Sequence, residues 1–323
     1  MQRKFPRPRL VVSKCLEFEA VRYDGAKISD LFVRKLKDYV DFIPVCPEME
    51  IGLGVPREPI RIVEEGGKRY LIQPATGKDV TGDMLDFTQK FLSTLPEVDG
   101  FILKNASPSS GIAQVKVYHG FEKSVRTTRG AGFFGGAVLE KFSDKAVEDE
   151  KRLSNYTLRE HFLLFIYTLA AFRELGEDPS MKGLVDFHSR HKYLFMAYRD
   201  SLLRKLGKVV ANHAGLPLLA VFAAYKSLLG EVFKKPVERN SMINVLEHIF
   251  GGVSKELSPA ERQYFLNLLE EYRDERIPLS VVVHVLLSWA IRFDKQYILE
   301  QVIMHPYPVE LMDISDSGKG RKL

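Results

Sequence analysis

Apolar and polar positions follow two different rhythms along this chain. Up to about residue 145 the apolar residues come in short runs closed by Pro, Gly, Ser or a cysteine. Leu10-Val11-Val12 leads into Ser13-Lys14-Cys15. Phe42-Ile43-Pro44-Val45 leads into Cys46-Pro47-Glu48, and Phe101-Ile102-Leu103 precedes Ser107-Pro108-Ser109-Ser110-Gly111. Runs of this length with such boundaries predict buried strands. Between the first two, Ile28, Leu31, Phe32, Leu36 and Val40 fall at helical spacing over 28–39, with Ser29 as the expected cap. Strand, helix, strand in that order predicts a right-handed βαβ unit. Ligands of open α/β sheets bind outside the carboxyl ends of parallel strands. The three polar tips are therefore expected to share one pocket.

The rest of the first half fills in around these runs. Gly52 to Pro59 carries two glycines and two prolines and predicts a loop. Ile60–Val63 and Arg69–Ile72 flank Gly66-Gly67 and predict a hairpin. The pattern predicts a helix over 79–95, begun at Asp79 or Thr81, and a fourth strand over 114–118. Arg126 to Gly136 is rich in glycine. It reads either as a backbone that approaches an anionic ligand closely or as a turn into a helix over 137–142. It does not match a Walker loop, which needs Gly-Lys-Ser/Thr.

From Tyr156 onward the spacing is helical throughout. Helices are predicted over 158–175, 184–206, 216–233, 237–250, 260–271 and 279–293. Ser258-Pro259-Ala260-Glu261 forms a capping box with proline at the first helical position. The expected architecture is an α/β N-terminal domain with a mainly parallel sheet (8–150), then an all-α helical bundle domain (155–310) and a polar, mobile tail (311–323).

Composition narrows the function only a little. The chain has 323 residues, 45% of them hydrophobic, and a formal net charge of +5, which is weak ground for a polyanionic partner. No secretory signal is visible, and no apolar stretch reaches the ~20 residues of a membrane span. The expectation is a soluble, cytoplasmic protein with no membrane partner. Two cysteines, Cys15 and Cys46, do not indicate a disulfide framework. The local excess of Lys182, Arg190, Lys192, Arg199, Arg204, Lys205 and Lys208, with Tyr193 and Tyr198 nearby, reads as a solvated helix face or as an RNA contact over 182–208. His188 and His191 lie three apart on one helix face, and Glu247, His248 and Asn244 could join them. Packing is the commoner role for such histidines, and no known metal signature is completed.

Both cysteines sit where a strand ends and both have polar neighbours. Thiolates gathered at strand ends suit a soft metal or an iron–sulfur cluster, although no Cys-x-x-Cys is present. Arg57 offers a planar fork of donors for an anion or substrate, or a surface ion pair with Glu58 or Glu50.

A family resemblance adds to this reading. Cys15-Leu16, Val21-Arg22-Tyr23-Asp24-Gly25, Val45-Cys46-Pro47-Glu48, Gly52-Leu53-Gly54-Val55-Pro56-Arg57-Glu58 and Ser107-Pro108-Ser109-Ser110-Gly111 together resemble domain of unknown function 523, whose characterised members are thiouracil desulfidases. Residues after about 155 resemble domain of unknown function 1722, the YbgA-like family. The resemblance implies iron–sulfur-dependent, non-redox desulfuration of a thiolated pyrimidine or related thiocarbonyl compound, on a [4Fe-4S] cluster with one open iron. It implies Cys15 and Cys46 as cluster ligands, Glu48 as acid/base and Ser107 as a catalytic or orienting hydroxyl. It also implies Arg22, Tyr23, Asp24, Arg57 and Ser109 as substrate-binding residues. One departure matters: the third cysteine of the family pattern is Ser110 here. The cluster is then held by two thiolates plus Ser110 or another group, or is more labile, or is absent. The alternative function is a non-catalytic or RNA-associated binding protein.

Overall fold

The computed structural model describes residues 4–122 and 126–313. They divide into two compact units, residues 4–170 and 171–313. The expected tail lies, from residue 314 on, outside the described residues.

The first unit carries the α/β architecture that the strand runs imply. Its elements are β1 (Arg9–Ser13), α1 (Leu31–Leu36), β2 (Asp41–Val45), α2 (Pro47–Glu50), β3 (Arg61–Glu65), β4 (Lys68–Gln73) and β5 (Lys78–Asp79). Then come α3 (Thr81–Thr94), β6 (Gly100–Leu103), β7 (Val115–Tyr118), β8 (Thr127–Gly130), α4 (Phe133–Lys141) and β9 (Ala146–Asp149). One sheet has the order β2-β1-β6-β9 and is parallel throughout. Strand β1 pairs with β2 on one side and β6 on the other, so the sheet reverses direction beside β1. That is where ligand crevices form in such sheets. The core of this sheet gathers Val11, Val45, Phe101, Leu103, Phe134 and Val138. Burying a side chain such as Phe101 contributes on the order of 1.5–3 kcal/mol.

The second sheet, β5-β4-β3-β7-β8, was not foreseen as a separate layer. The expected hairpin is β3–β4, but the expected fourth strand, β7, pairs with β3 and β8 rather than with the first sheet. Helix α3 serves both cores, because Phe87 packs against each.

Three local expectations change. The helix expected over 28–39 shrinks to α1. Ile28 is drawn into a parallel bridge with Leu16, and Asp30 rather than Ser29 caps the helix, its carboxylate accepting from Val33 N at 2.9 Å. The Ser29 hydroxyl instead accepts from Arg34. Strand β9 was missed, and helix α4 begins at Phe133, four residues earlier than expected.

Helix α5 (Tyr156–Leu175) spans the division between the units. The second unit continues with α6 (Met181–Ala211), α7 (Leu218–Val232), α8 (Arg239–Gly251), α9 (Pro259–Arg273), α10 (Leu279–Arg292) and α11 (Gln296–Leu299). The capping box at α9 is formed on both sides: the Ser258 hydroxyl accepts from Glu261 N at 3.2 Å, and the Glu261 carboxylate accepts from Ser258 N at 2.7 Å. Helix α6 is interrupted at Arg199, whose φ of −167° and ψ of 96° are extended rather than helical.

Candidate active site in the first unit

Strand β2 ends at Val45, and Cys46 then caps a single helical turn whose first position is proline. Proline's fixed φ suits that position. The Cys46 carbonyl accepts from Met49 N and Glu50 N, so the turn is closed by backbone bonds and Glu48 is swung in beside Cys46. Cys15 follows β1 after Lys14, and the segment after β6 reaches Ser107. The ends of β1, β2 and β6 thus meet at one cavity of about 260 Å³. Cys15, Arg22, Tyr23, Cys46, Glu48, Arg57, Ser107 and Ser110 all line it. Eight of the ten residues expected at the site come together there. Asp24 does not: it is exposed and holds Arg22 Nε at 3.2 Å. Ser109 lies behind the wall rather than on it, fully buried, with its hydroxyl donating to Glu48 Oε1 at 2.7 Å.

Arg57 pairs with neither Glu58 nor Glu50. Its Nη1 donates to Val21 O at 3.0 Å and Gly54 O at 2.8 Å, and Nη2 stands 4.0 Å from Glu48 Oε2. It ties two loops together beside the carboxylate. The Cys46 thiol donates to the same Glu48 oxygen at 3.5 Å.

The thiols are held in the protonated form. Burial is the main cause, and the Glu48 carboxylate adds to it. Cys15 is pushed up to about 11 and Cys46 to about 12. A thiolate here needs a cation to balance it, which is the condition metal ligation supplies.

Sequence reasoning missed one polar cluster. Lys104 lines the cavity, and its ammonium donates to Glu150 and to Asn105 O. Asn105 donates its backbone N–H to Glu150 and its side-chain amide to Asp149. The available signal was positional: Lys104 follows an apolar run directly, as Cys46 does and Cys15 nearly does.

The glycine-rich stretch finds its partner in the serine turn. Gly132 N donates to Gly111 O, Phe133 N to Pro108 O and Gly135 N to Ser109 O, at 2.7 to 3.1 Å. The first turn of α4 gives its free N–H groups to the turn that carries Ser107, Ser109 and Ser110, and this close approach is the reason for the glycines.

Cys15, Cys46 and Ser110 are the donors that face the cavity in the pattern expected of cluster ligands. Among the described residues no three His, Cys, Asp or Glu side chains gather where they could hold a metal ion. The cavity thus offers two thiols and, in Ser110, a hydroxyl that is a harder base than a third thiol. Nor do the described histidines of the second unit belong to such a group. His188 Nδ1 bonds to the Tyr225 hydroxyl, His191 Nδ1 to Phe187 O, and Glu247 and His248 are exposed.

Comparison with known proteins assigns both parts of the chain to families. The family model described as 2-thiouracil desulfurase matches residues 10–150, and that described as protein of unknown function (DUF1722) matches residues 192–308. Uncharacterized protein YbbK of Bacillus subtilis (strain 168) is 35% identical over 109 residues, 32% of this chain and 72% of that protein. Uncharacterized protein YbgA of Escherichia coli (strain K12) is 31% identical over 119 residues, 36% of this chain and 70% of that protein. The chain belongs to the 2-thiouracil desulfurase and DUF1722 families. Among solved structures, the [4Fe-4S]-dependent thiouracil desulfidase TudS is 27% identical, covers 46% of this chain and 93% of its own, and superposes weakly with a TM-score of 0.36. The 2-thiouracil desulfurase match spans the cavity and every residue described on its wall, whereas the DUF1722 match falls within the second unit. No helix among the described residues is long and apolar enough to cross a membrane.

Proposed function

We propose that the cavity of the first unit removes sulfur from a thiolated pyrimidine or a related thiocarbonyl compound. The observation that carries this reading is the convergence of two buried thiols, a buried carboxylate and two serine hydroxyls on one wall, at the carboxyl ends of three parallel strands. Cys15 and Cys46 would hold an iron–sulfur cluster, with Ser110 as the third donor. The chemistry such a group supplies when bound is Lewis acidity towards sulfur. The chain's own residues do the rest. Glu48, fixed by Ser109 and flanked by Arg57, takes a proton from water and returns it to a ring nitrogen. Ser107 offers a hydroxyl to the ring, while Arg22 and Tyr23 form the outer rim and Arg57 the inner one.

The test is oxygen-free purification with iron and acid-labile sulfide analysis, followed by conversion of 2-thiouracil to uracil. The wild type is expected to carry iron and sulfide and to turn over. Cys46→Ser should lose the iron, and Glu48→Gln should keep it but lose turnover. A folded wild type without iron would overturn the reading. The RNA alternative has no structural support: the seven basic residues of α6 are all exposed and do not form one stripe. Arg190 and Lys192, for example, sit about 200° apart around the axis.

A further inference from the structure

The serine turn puts Ser107 and Ser110 on the cavity wall and Ser109 behind it. We infer that Ser109 is the positioning residue of Glu48. This inference rests on the acid/base reading of Glu48 given above.

Ser109 is 0% exposed, so its hydroxyl has no water to turn to. Its bond to Glu48 Oε1, at 2.7 Å, is the shortest the carboxylate makes. The Cys46 thiol at 3.5 Å and the Arg57 guanidinium at 4.0 Å, both on Oε2, are looser. The Ser109 oxygen also lies 3.0 Å from Ser107 Oγ and 3.2 Å from Ser110 Oγ. An ionised carboxylate only accepts, so the single Ser109 hydrogen is committed to Glu48 and the Ser109 oxygen is left to accept. Ser107 and Ser110 can then both donate to that oxygen, which keeps the Ser109 hydroxyl aimed at Glu48.

The turn itself is held still. Pro108 O, Ser109 O and Gly111 O each accept from the first turn of α4. A Cβ on Gly132 or Gly135 would stand 2.5 or 2.4 Å from carbonyl oxygens of the serine turn, so the helix backbone is packed directly against it. The distance between Ser109 and Glu48 is thus fixed from the far side of the wall.

The experiment compares Ser109→Ala, Glu48→Gln and the double variant on 2-thiouracil, together with crystal structures of the wild type and Ser109→Ala. Removing the hydroxyl is expected to lower kcat at least tenfold with KM within twofold. The double variant should be no slower than Glu48→Gln alone, and the Glu48 carboxylate in the Ser109→Ala crystals should leave its wild-type position. A kcat within twofold of wild type, additive effects in the double variant, or an unmoved carboxylate overturns the inference. If Glu48→Gln turns over like the wild type, the acid/base reading is what fails. The Glu48 position in the Ser109→Ala crystals then still decides whether Ser109 holds it.

Discussion

Replacing Gly135 by alanine opposes two effects of known size. Gly135 lies within α4 without a left-handed φ, so the backbone accepts alanine, and helix propensity alone favours the change by about 1 kcal/mol. The added Cβ, however, would stand 2.4 Å from Gly111 O, 2.5 Å from Ser110 O and 2.8 Å from Gly111 C. All three are backbone atoms of the serine turn, so no side chain can swing aside. Reaching ordinary contact means parting helix and turn by roughly 1 Å, with a strain of about 1–3 kcal/mol. The Gly135 N to Ser109 O bond, at 3.0 Å, weakens as well, for about 1 kcal/mol more. The net expectation is a loss of about 1–3 kcal/mol, a drop of roughly 3–10 °C in the melting temperature of a unit this size. Gly136→Ala is the matched control. Its Cβ meets only Ala131 Cβ, at 3.5 Å, so propensity wins and the variant should be up to about 1 kcal/mol more stable. Differential scanning calorimetry of the full chain measures both. Equal melting temperatures for the two variants would refute the close-approach account of the glycines.

Three further outcomes are expected. Glu17 accepts from Asp30 N and from Arg34, and the hydrogen bond from Arg34 chiefly lowers its carboxyl from the usual range to about 2. Its contribution is therefore present above pH ~4.5 and is lost as pH falls towards 2, so Glu17→Gln should narrow the stability gap to wild type progressively over that window in acid-denaturation curves. Ser258→Ala removes one side of the capping box and should cost about 1 kcal/mol in urea unfolding followed by the fluorescence of Trp289, with no effect on desulfuration. In cluster-free protein at pH 8, about one Cys15 in a thousand is the thiolate, given a value of about 11, so alkylation by iodoacetamide should be slow and should speed up about tenfold per pH unit until pH 11.

The convergence of the three strand tips was readable because their apolar runs end abruptly in polar residues, and a parallel sheet leaves such ends on one edge. The sheet partner of Val115–Tyr118 was not readable, because alternation fixes a strand's faces and not its neighbours. Strand β9 escaped notice because Ala146-Val147-Glu148-Asp149 looks like surface. Its acids are in fact buried and satisfied, Glu148 by Arg152 and Asp149 by the amides of Lys151 and Arg152. The glycines of 130–136 did signal close approach, but the approaching group is the serine turn rather than a ligand. Arg57 was matched to carboxylates near it in sequence, whereas the loop folds back and sets it against Glu48, nine positions earlier.

The bonds that Arg57 makes to Val21 O and Gly54 O need no guest molecule. One flank of the hollow is stapled in advance, so occupancy demands little new ordering there and most of the contact energy is left for affinity. Empty and filled crystals should superpose closely along this flank, and association should follow a single exponential at every ligand concentration.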